Sequence, residues 1–377
     1  MKIGLYIHIP FCAQKCLYCD FTSYVCDESV YADYVAALCR ECAMQGGPLA
    51  NAAVDSLYIG GGTPTILPGR LLEQTVACVR KNFRLDEAAE ISIEANPGTV
   101  NKEKLALLRR LGINRISFGV QTFNDRLLQL VGRIHSAREG EQAVLEARKA
   151  GFTNISIDLM YGLPEQTVAD LESSMRRAAN MGVPHVSVYG LKVEEKTAMS
   201  DALQAGRLTL PDEDTDDAMY EKVTGLLPQL GYDWYEISNF ALPGYECRHN
   251  LKYWQYKPYL GLGVAAHSFL KGVRSANVAG LDVYMRQLAR NQLPVLFAET
   301  AIEKTAWAEF SFLALRTQRG LYFDEFAAQF HIAFIDCFGP VVEDLSRKGL
   351  IAVTSAGIRL TLLGRKYGNA VFRSFLP

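Results

Sequence analysis

The chain is organised around residues 6–21, which read YIHIPFCAQKCLYCDF. A short apolar strand, Leu5–Ile9, runs into Pro10, which has no backbone N–H with which to continue strand pairing. Three cysteines follow within eight residues, spaced C-x3-C-x2-C: Cys12, Cys16 and Cys19. Three thiolates on one tight loop can bind one metal centre. An iron–sulfur cubane held by them keeps one iron without a protein ligand.

The three cysteines fit a disulfide framework or a structural zinc site less well. Disulfides need an oxidising compartment and usually an even set of cysteines. Structural zinc needs four ligands, and no obvious fourth follows nearby. Buried apolar cysteines rarely crowd into one loop. The sequence therefore predicts an iron–sulfur cluster.

The C-x3-C-x2-C spacing resembles that of the radical S-adenosylmethionine (SAM) superfamily. In that superfamily the open iron of a [4Fe–4S] cluster chelates SAM through its amino and carboxylate groups. The resemblance implies that the three cysteines of the loop hold such a cluster and that SAM is a second cofactor.

Length and composition are those of an ordinary globular protein: 377 residues, 49% hydrophobic and 21% charged. The formal net charge of −2 gives no reason to expect nucleic acid or an anionic membrane as a partner. No apolar run is long enough to cross a membrane, and His8, Pro10 and the cysteines interrupt any signal-peptide core. We therefore expect a cytoplasmic protein whose nine cysteines are reduced, and the six outside the loop receive no function.

A short β-rich run, a loop and an amphipathic helical segment recur along the chain. The predicted strands are Leu5–Ile9, Ser56–Ile59, Glu90–Glu94, Arg115–Val120, Asn154–Leu159 and His185–Tyr189. The helices between them include Arg70–Asn82, Lys102–Leu111, Arg138–Ala150 and Val168–Met181. This alternation predicts parallel βαβ units in an α/β fold, and six of them favour a partial, TIM-like (β/α)6 barrel. Functional residues are then expected at the C-terminal ends of the strands.

Glycine or polar residues stand at those strand ends. Gly60–Thr65 contains three glycines, which let a ligand approach the backbone closely. Glu94 could serve a cationic ligand group. Arg133, twelve residues after Gln121, is a natural bidentate partner for a carboxylate, and Asp158 could bind a ribose hydroxyl pair. Each alone also suits a structural role, such as a tight turn or an ion pair. Together they match the expectation that functional residues of a barrel lie at the C-terminal ends of its strands, which we call the barrel rule.

Four motifs, in order, narrow the resemblance: YxHIPFC, GGGTPT, GVQ and IDLMYGLP. Over nearly the whole chain they resemble the family of oxygen-independent coproporphyrinogen III dehydrogenase and its paralogues. The resemblance implies SAM contacts at Tyr6, Gly61, Gly62, Thr63, Glu94, Gln121, Arg133 and Asp158. It also implies that Tyr18 packs near the adenine ring.

Two departures from the dehydrogenase point to its paralogue. The dehydrogenase has a further cysteine two positions after the third motif cysteine, where this chain has Phe21. The dehydrogenase also has an N-terminal extension over the active site, whereas this sequence is expected to open directly with the first strand. Both features match the HemW-type haem chaperones.

Residues 249–254, HNLKYW, form a second informative stretch. A histidine beside aromatic residues could ligate haem iron, although on its own it fits a packed or partly exposed loop. His-Asn-x-x-Tyr-Trp is similar to a signature associated with haem binding in HemW-type chaperones. This implies haem contact at His249, without establishing axial ligation. His267 is a second candidate, and His8 is expected to orient the cysteine loop.

The last part of the chain predicts a helical module. An amphipathic helix is expected at Ile302–Leu315, Asp324 is expected to cap a second, and Phe338–Pro340 to interrupt the chain before a third. A final helix should run to about Phe375, after a hairpin of Leu350–Val353 and Ile358–Leu360. Helices followed by a hairpin resemble a winged-helix module. Because no concentrated basic face is present, we expect a lid or partner-docking domain rather than a DNA reader.

The sequence thus predicts three domains. They are the radical SAM core barrel at 1–236, a connecting region with the HNLKYW stretch at 237–295, and the C-terminal winged-helix-like domain at 296–377. The resemblance to HemW-type chaperones implies three cofactors: a [4Fe–4S] cluster, SAM and haem. It further implies a haem-requiring respiratory client associated with the membrane and an electron donor such as flavodoxin or ferredoxin, and it allows a homodimer.

Two function classes stay open. The first is a haem chaperone that binds haem and a SAM-ligated cluster and hands haem to respiratory proteins; it needs no catalytic residue. The second is the dehydrogenase itself, in which SAM cleavage starts the oxidative decarboxylation of propionate side chains in porphyrin biosynthesis. Some other radical SAM enzyme would leave the HNLKYW stretch unexplained.

Overall fold

The computed structural model describes residues 1–376. The strands are β1 (Lys2–Ile9), β2 (Ala53–Gly61), β3 (Arg84–Ala95), β4 (Arg115–Gln121), β5 (Asn154–Tyr161), β6 (His185–Gly190), β7 (Asp233–Glu236), β8 (Asn239–Ala241), β9 (Tyr259–Leu262), β10 (His267–Leu270), β11 (Val273–Asn277), β12 (Val295–Thr300), β13 (Leu321–Tyr322), β14 (Ile351–Val353) and β15 (Gly357–Leu360). The helices are α1 (Glu28–Gly46), α2 (Gly69–Asn82), α3 (Lys102–Arg110), α4 (Asp125–Leu130), α5 (Ala137–Lys149), α6 (Val168–Asn180), α7 (Ala198–Gln204), α8 (Glu213–Gln229), α9 (Arg248–Trp254), α10 (Leu281–Ala289), α11 (Glu303–Leu315), α12 (Phe323–Phe330), α13 (Phe334–Arg347), α14 (Leu362–Lys366) and α15 (Gly368–Arg373). Short 3₁₀ segments lie at Gly47–Leu49, Pro64–Ile66 and Pro97–Thr99.

Twelve strands form one mostly parallel sheet in the order β12-β11-β10-β9-β1-β2-β3-β4-β5-β6-β8-β7. Strands β1 to β6 pair parallel with one another, and β9 pairs parallel with β1 in the register Gly4↔Tyr259. Strands β10 to β12 on one side, and β8 and β7 on the other, are antiparallel additions. Six consecutive parallel strands with helices between them confirm the predicted α/β class and partial barrel.

Side chains along β1 alternate between the outer face of the sheet, which packs on helices, and the inner face of the arc. One set of β1 residues is fully buried in the core that the sheet shares with α1 and α2: Ile3, Leu5, Ile7 and Ile9. Tyr6 and His8 alternate with that set and therefore point to the inner face of the arc. Apolar groups thus hold the helices on the outside, while polar and aromatic groups are available to a ligand on the inside.

All six predicted strands and all four predicted helices of the barrel are present, with ends that shift by a few residues. The largest shift is in β3, which begins at Arg84 rather than Glu90. Its first residues pair with the start of β2, in the register Ala53↔Arg84. Residues 84–89 combine three charged side chains with Leu85 and two alanines and show no regular apolar alternation, so backbone pairing defines this part as strand.

The segment predicted as a connecting region, 237–295, supplies strands to both sides of the main sheet. β8 pairs with β6, whereas β9 to β11 extend the sheet beyond β1. β12 continues that extension to Thr300. The division at 236 and 295 stays a prediction, but the sheet itself runs across both positions.

Residues from Glu303 onward build a second core that is rich in phenylalanine. Its small sheet has the order β13-β15-β14, and β14 and β15 form the predicted hairpin. Within residues 1–376, no helix is long and apolar enough to cross a bilayer.

Three details predicted for this module are wrong. Tyr322 is the N-cap of α12, so Asp324 lies in the first turn. α13 continues through Phe338–Pro340, because the buried faces of Phe334, Phe338 and Val342 outweigh the hydrogen bond that Pro340 removes. The final helix is divided at Tyr367 into α14 and α15.

Candidate functional site

A cavity of about 370 Å³ opens at the C-terminal ends of β1 to β6. Eleven of the thirteen predicted site residues line this space, which we call the cysteine cavity: Cys12, Cys16, Tyr18, Cys19, Gly61, Gly62, Thr63, Glu94, Gln121, Arg133 and Asp158. Each strand contributes residues from its C-terminal half or from the loop that follows it. This is the position at which parallel α/β arcs bind ligands.

Hydrogen bonds tie the far end of the cysteine loop back to β1 and Pro10. The Tyr24 backbone N–H donates to the Pro10 carbonyl at 2.7 Å. The His8 Nε2 lies 2.8 Å from the Thr22 carbonyl oxygen, and Nδ1 lies 3.0 Å from the Tyr6 hydroxyl. Because a carbonyl only accepts, Nε2 carries the proton and Nδ1 accepts from Tyr6. Burial lowers the pKa of His8, so a neutral ring orients the loop as predicted.

The three thiols are half-buried on the wall of the cavity. Burial raises the pKa of Cys12 and of Cys19. The Nη1 of Arg133 lies 3.2 Å from the Sγ of Cys16, and the Thr63 hydroxyl lies 3.6 Å from the Sγ of Cys12. A cation and a hydroxyl beside the sulfurs favour the thiolate form, which is the form that binds iron.

The loop fits a cubane cluster bound through three thiolates. A Cβ on Gly62 would lie 3.0 Å from the Sγ of Cys12 and 2.7 Å from the Phe11 carbonyl oxygen, so glycine is what lets the loop pack on the end of β2. In the described chain, no three His, Cys, Asp or Glu side chains close around a single metal ion. A cubane does not need that arrangement, because each thiolate binds a different iron of the cluster.

Two carboxyl groups face the cavity from the sheet. The Tyr58 hydroxyl donates to Oε1 of Glu94 at 2.8 Å, and the backbone N–H of Gly61 donates to Oε2 at 3.0 Å. Burial, with the charge of Asp158 adding to it, raises the pKa of Glu94 to about 7. The Ser117 hydroxyl donates to Asp158 at 3.0 Å, and burial raises the pKa of this acid too. A cationic ligand here would stabilise the ionised carboxylates.

Arg133 enters the cavity from the loop after α4. Its Nη2 donates to Oδ1 of Asn96 at 2.7 Å and also to the Gly119 carbonyl. Its Nε is buried and has no hydrogen-bond partner in the part of the chain that the structure describes. None of its observed partners, which include the sulfur of Cys16, is a carboxylate. The guanidinium can therefore still pair with the carboxylate of a ligand.

Gln121 owes its position to an irregularity in β4. The pairing of β4 with β5 shifts between Gly119 and Gln121. Gln121 also has a φ of 67°, in a region that non-glycine residues seldom occupy. Bulges of this kind re-aim side chains next to binding sites, and here the side chain lines the cysteine cavity.

The lining includes further side chains that were not predicted from the sequence, chiefly Asn96 and Tyr189. Asn96 donates to the Thr63 hydroxyl at 3.0 Å and accepts from Arg133, so it joins the cation to the glycine-rich turn. Both residues stand at or just beyond a strand end, at β3 and β6. The barrel rule could therefore have identified them as well.

Tyr6 lines a different space, a cavity of about 410 Å³ on the β9 side of β1. Six aromatic side chains dominate its wall, and we call it the aromatic cavity: Tyr6, Tyr253, Trp254, Tyr256, Tyr259 and Phe269. His8 also lines it. The predicted SAM contact of Tyr6 therefore stays a prediction, because Tyr6 does not line the cysteine cavity.

His249 lines neither cavity and is only 1% exposed. Its Nδ1 lies 3.0 Å from the Ser56 hydroxyl, its Nε2 lies 2.9 Å from the Tyr253 hydroxyl, and its ring stacks on Tyr58. Burial lowers the pKa of His249 to about 3. Helix α9 is fixed here by Glu90, which accepts the backbone N–H of His249 at 3.1 Å. Haem contact at His249 stays a prediction, and both of its ring nitrogens have protein partners.

Comparison with known proteins agrees with this geometry. The radical SAM superfamily model matches residues 6–178, and the HemN C-terminal domain model matches residues 303–367. A protein of Bacillus subtilis (strain 168) named heme chaperone HemW is 38% identical over 98% of each chain. This chain belongs to the HemW family.

Further HemW proteins match at similar levels. Heme chaperone HemW of Lactococcus lactis (strain IL1403) is 35% identical over 98% of this chain and 96% of its own length. Heme chaperone HemW of Escherichia coli (strain K12) is 39% identical over 70% of this chain and 69% of its own. The similarity of this HemW-family chain thus extends beyond the barrel to both of its ends.

The HemW-family fold also matches the solved structure of coproporphyrinogen III oxidase (HemN) from Escherichia coli, a radical SAM enzyme. The TM-score is 0.89 at 26% identity, over 99% of this chain and 90% of that one. In this HemW-family chain, Phe21 lines the cysteine cavity and is 65% exposed. An apolar ring therefore occupies the position where the sequence resemblance implies a further cysteine in the dehydrogenase.

Proposed function

We propose that this chain is a cytoplasmic haem chaperone that binds haem and a SAM-ligated [4Fe–4S] cluster and transfers haem to respiratory haem proteins. The name of its full-length relatives, heme chaperone HemW, supports haem as the cargo. The observation that carries the cofactor part is that three thiols, the guanidinium of Arg133 and the buried carboxyl groups of Glu94 and Asp158 line one cavity.

In this proposal the cluster is held by Cys12, Cys16 and Cys19, and when bound it supplies an open iron to which SAM coordinates. Arg133 pairs with the SAM carboxylate, since its present partners carry no carboxylate. Glu94 accepts from the amino group, and Asp158 accepts from the ribose hydroxyls. The remaining proposed contacts are Tyr6, Tyr18, Gly61, Gly62, Thr63 and Gln121.

The cofactor part is tested by anaerobic reconstitution of the full chain with iron and sulfide. The Cys16→Ala variant is expected to lose the iron–sulfur absorbance. Cys337→Ala is the matched control, because this cysteine lies in α13 of the C-terminal domain and should not affect the cluster. A full cluster in Cys16→Ala protein would contradict the ligand set.

The chaperone part is tested by haem transfer. Reconstituted protein loaded with haem is mixed with the apo form of a respiratory haem protein, and the spectra of both are followed after separation. We expect haem to move to the acceptor. Failure of the reconstituted protein to bind haem at all would contradict the proposal.

The second candidate is oxygen-independent coproporphyrinogen III dehydrogenase, and the likeness to HemN over nearly the whole chain favours it. Reconstituted protein with SAM, reductant and coproporphyrinogen III separates the two functions. A chaperone leaves the substrate unchanged. Conversion at a rate comparable to other radical SAM enzymes would favour the dehydrogenase.

The proposal includes partners besides haem. An electron donor such as flavodoxin or ferredoxin would reduce the cluster, and the respiratory client would be membrane-associated. A homodimer is compatible with the proposal. Pull-down of reduced flavodoxin and analytical ultracentrifugation of reconstituted protein test the first and the last of these.

A further inference from the structure

We propose that the aromatic cavity is the haem site and that His267 is the side chain that binds the haem iron. The inference rests on the proposed haem-binding function and gives that function a location. It prefers the second candidate from the sequence, His267, to the first, His249.

The floor of the aromatic cavity is a row of side chains on neighbouring strands. Tyr259 of β9 lies opposite Phe269 of β10, and Phe269 lies opposite Arg274 of β11. His267 is two residues before Phe269, so it stands on the same face of β10. All four line the cavity, which at about 410 Å³ is in the range of cofactor sites. Flat aromatic walls suit the face of a porphyrin.

His267 is the histidine of this cavity that is free to bind a metal. It is exposed, and neither ring nitrogen has a hydrogen-bond partner among residues 1–376. The other histidine in the lining, His8, has both nitrogens engaged, by Tyr6 and by Thr22. A neutral imidazole nitrogen is a standard axial ligand of haem iron.

The positively charged side chains around the cavity complement the negatively charged propionates of haem. Lys257 and Arg274 line it, and no carboxylate does within the described chain. Lys257 is exposed, and the guanidinium of Arg274 lies over the Phe269 ring while its nitrogens pair with Glu309 at 2.8 Å. Haem carries two propionates, which these cations can pair with at the rim while the apolar ring lies against the aromatic side chains.

The same geometry gives the HNLKYW stretch a role. Tyr253 and Trp254, its last two residues, line the aromatic cavity, whereas His249 is buried behind them. His249 holds the Tyr253 hydroxyl at 2.9 Å. His249 is thus a positioning residue for the cavity wall, and His267, outside the stretch, is the ligand.

The test compares binding of haem and of iron-free protoporphyrin IX to the full chain by absorbance titration. His267→Ala is expected to lose the histidine-ligated haem spectrum and to weaken haem binding at least about ten-fold, since even groups that only orient a metal ligand contribute that much. Binding of protoporphyrin IX should be unchanged, because that ligand has no iron. His331→Asn, at an exposed histidine of the C-terminal domain, is the matched control.

The outcomes distinguish a failure of the proposed haem site from a failure of the proposed haem-binding function. An unchanged haem spectrum and affinity in His267→Ala would overturn the site while leaving the haem-binding function intact. Absence of haem binding in the wild-type chain would contradict the function itself. His249→Gln is expected to keep the histidine-ligated spectrum. If His249→Gln loses that spectrum and His267→Ala retains it, His249 rather than His267 binds the iron, and the proposal is overturned.

A second pair of variants tests the rim. Lys257→Glu is expected to weaken haem and protoporphyrin IX alike, because both carry the propionates. Lys271→Glu makes the same change in net charge at an exposed lysine in the β10–β11 turn that does not line the cavity. Equal effects of the two substitutions would mean that only overall charge matters and would remove Lys257 from the site.

Discussion

Gly61 and His8 lie back to back between the two cavities. A Cβ built on Gly61 would stand 2.7 Å from both Nδ1 and Cε1 of the His8 ring. Gly61 lines the cysteine cavity and His8 lines the aromatic cavity. The two proposed ligand sites are therefore separated by a wall that has no room for a side chain at residue 61.

This contact predicts that Gly61→Ala disturbs the cysteine loop. The φ of +115° at Gly61 is unfavourable for alanine, and the new methyl group would push against a His8 ring that two hydrogen bonds hold in place. We expect a loss of roughly 1–2 kcal/mol in unfolding free energy and weaker SAM binding, measured by urea unfolding and calorimetry. Gly98→Ala, where a Cβ meets nothing within 4 Å, is the control. Equal effects at the two positions would contradict the tight contact.

Glu94 predicts a pH dependence of stability. Its pKa is about 7 in the folded chain and 4.5 in an unconstrained one. Between these values the folded state holds more protons than the unfolded state, so stability falls as the pH rises through this window. The difference amounts to at most about 3 kcal/mol, less where cavity water screens the charge.

Urea unfolding at pH 5 and pH 8 measures this contribution as the difference between wild type and Glu94→Gln. Glu41 and Glu236 also have a pKa of about 7, so the wild-type slope alone is not sufficient. The variant should lose less stability than the wild type between the two pH values. The exposed Glu299→Gln should behave as wild type. Parallel curves for wild type and Glu94→Gln would refute the assignment.

The proposed pairing of Arg133 with the SAM carboxylate predicts that SAM affinity depends on that carboxylate. We expect Arg133→Lys to reduce SAM affinity about ten-fold or more, because lysine cannot replace a bidentate guanidinium. Affinity for decarboxylated SAM should fall much less. Calorimetry on cluster-loaded protein measures both, with Arg126→Lys, at an exposed ion pair with Glu165, as the control. Equal losses for both ligands would mean that Arg133 acts through the fold and not through the carboxylate.

The burial of His249 predicts that its replacement lowers the unfolding free energy far more than replacement of the exposed His267. His249→Ala would remove a buried ring and leave the Ser56 and Tyr253 hydroxyls without their partner. We expect a loss of about 2–4 kcal/mol in unfolding free energy. His267→Ala, at an exposed side chain, should stay within about 0.5 kcal/mol of wild type. A similar loss in both variants would show that the exposed ring contributes to packing after all.

The sequence was sufficient to predict the cysteine cavity because its residues follow strands in a strict order. Once the βα units are recognised, Cys12, Glu94 and Asp158 must meet, since the C-terminal ends of parallel strands share one edge. Asn96 directly follows the end of β3, so the same rule could have predicted it as a lining residue. The position of Gln121, by contrast, depends on a bulge that the pattern of residues does not reveal.

The aromatic cavity was not predictable in this way. It depends on the parallel pairing of β9 with β1, and nothing in the local pattern near Tyr259 specifies a partner so far along the chain. The burial of His249 likewise follows from how Glu90 holds the start of α9. Motif similarity pointed to the HNLKYW stretch, and only the packing shows that Tyr253 and Trp254 line the cavity while His249 lies behind them.

The pairing of β1 with β9 also bears on how the protein is made. Gly4 and Tyr259 are 255 residues apart, so at roughly 5–20 residues per second the ribosome needs on the order of tens of seconds to supply the second partner of β1. During that interval the strand that leads into the cysteine loop has one unpaired apolar edge, a template for aggregation. The late synthesis of β9 thus leaves this edge of β1 open to pairing with other chains for longer than the edge that β2 covers.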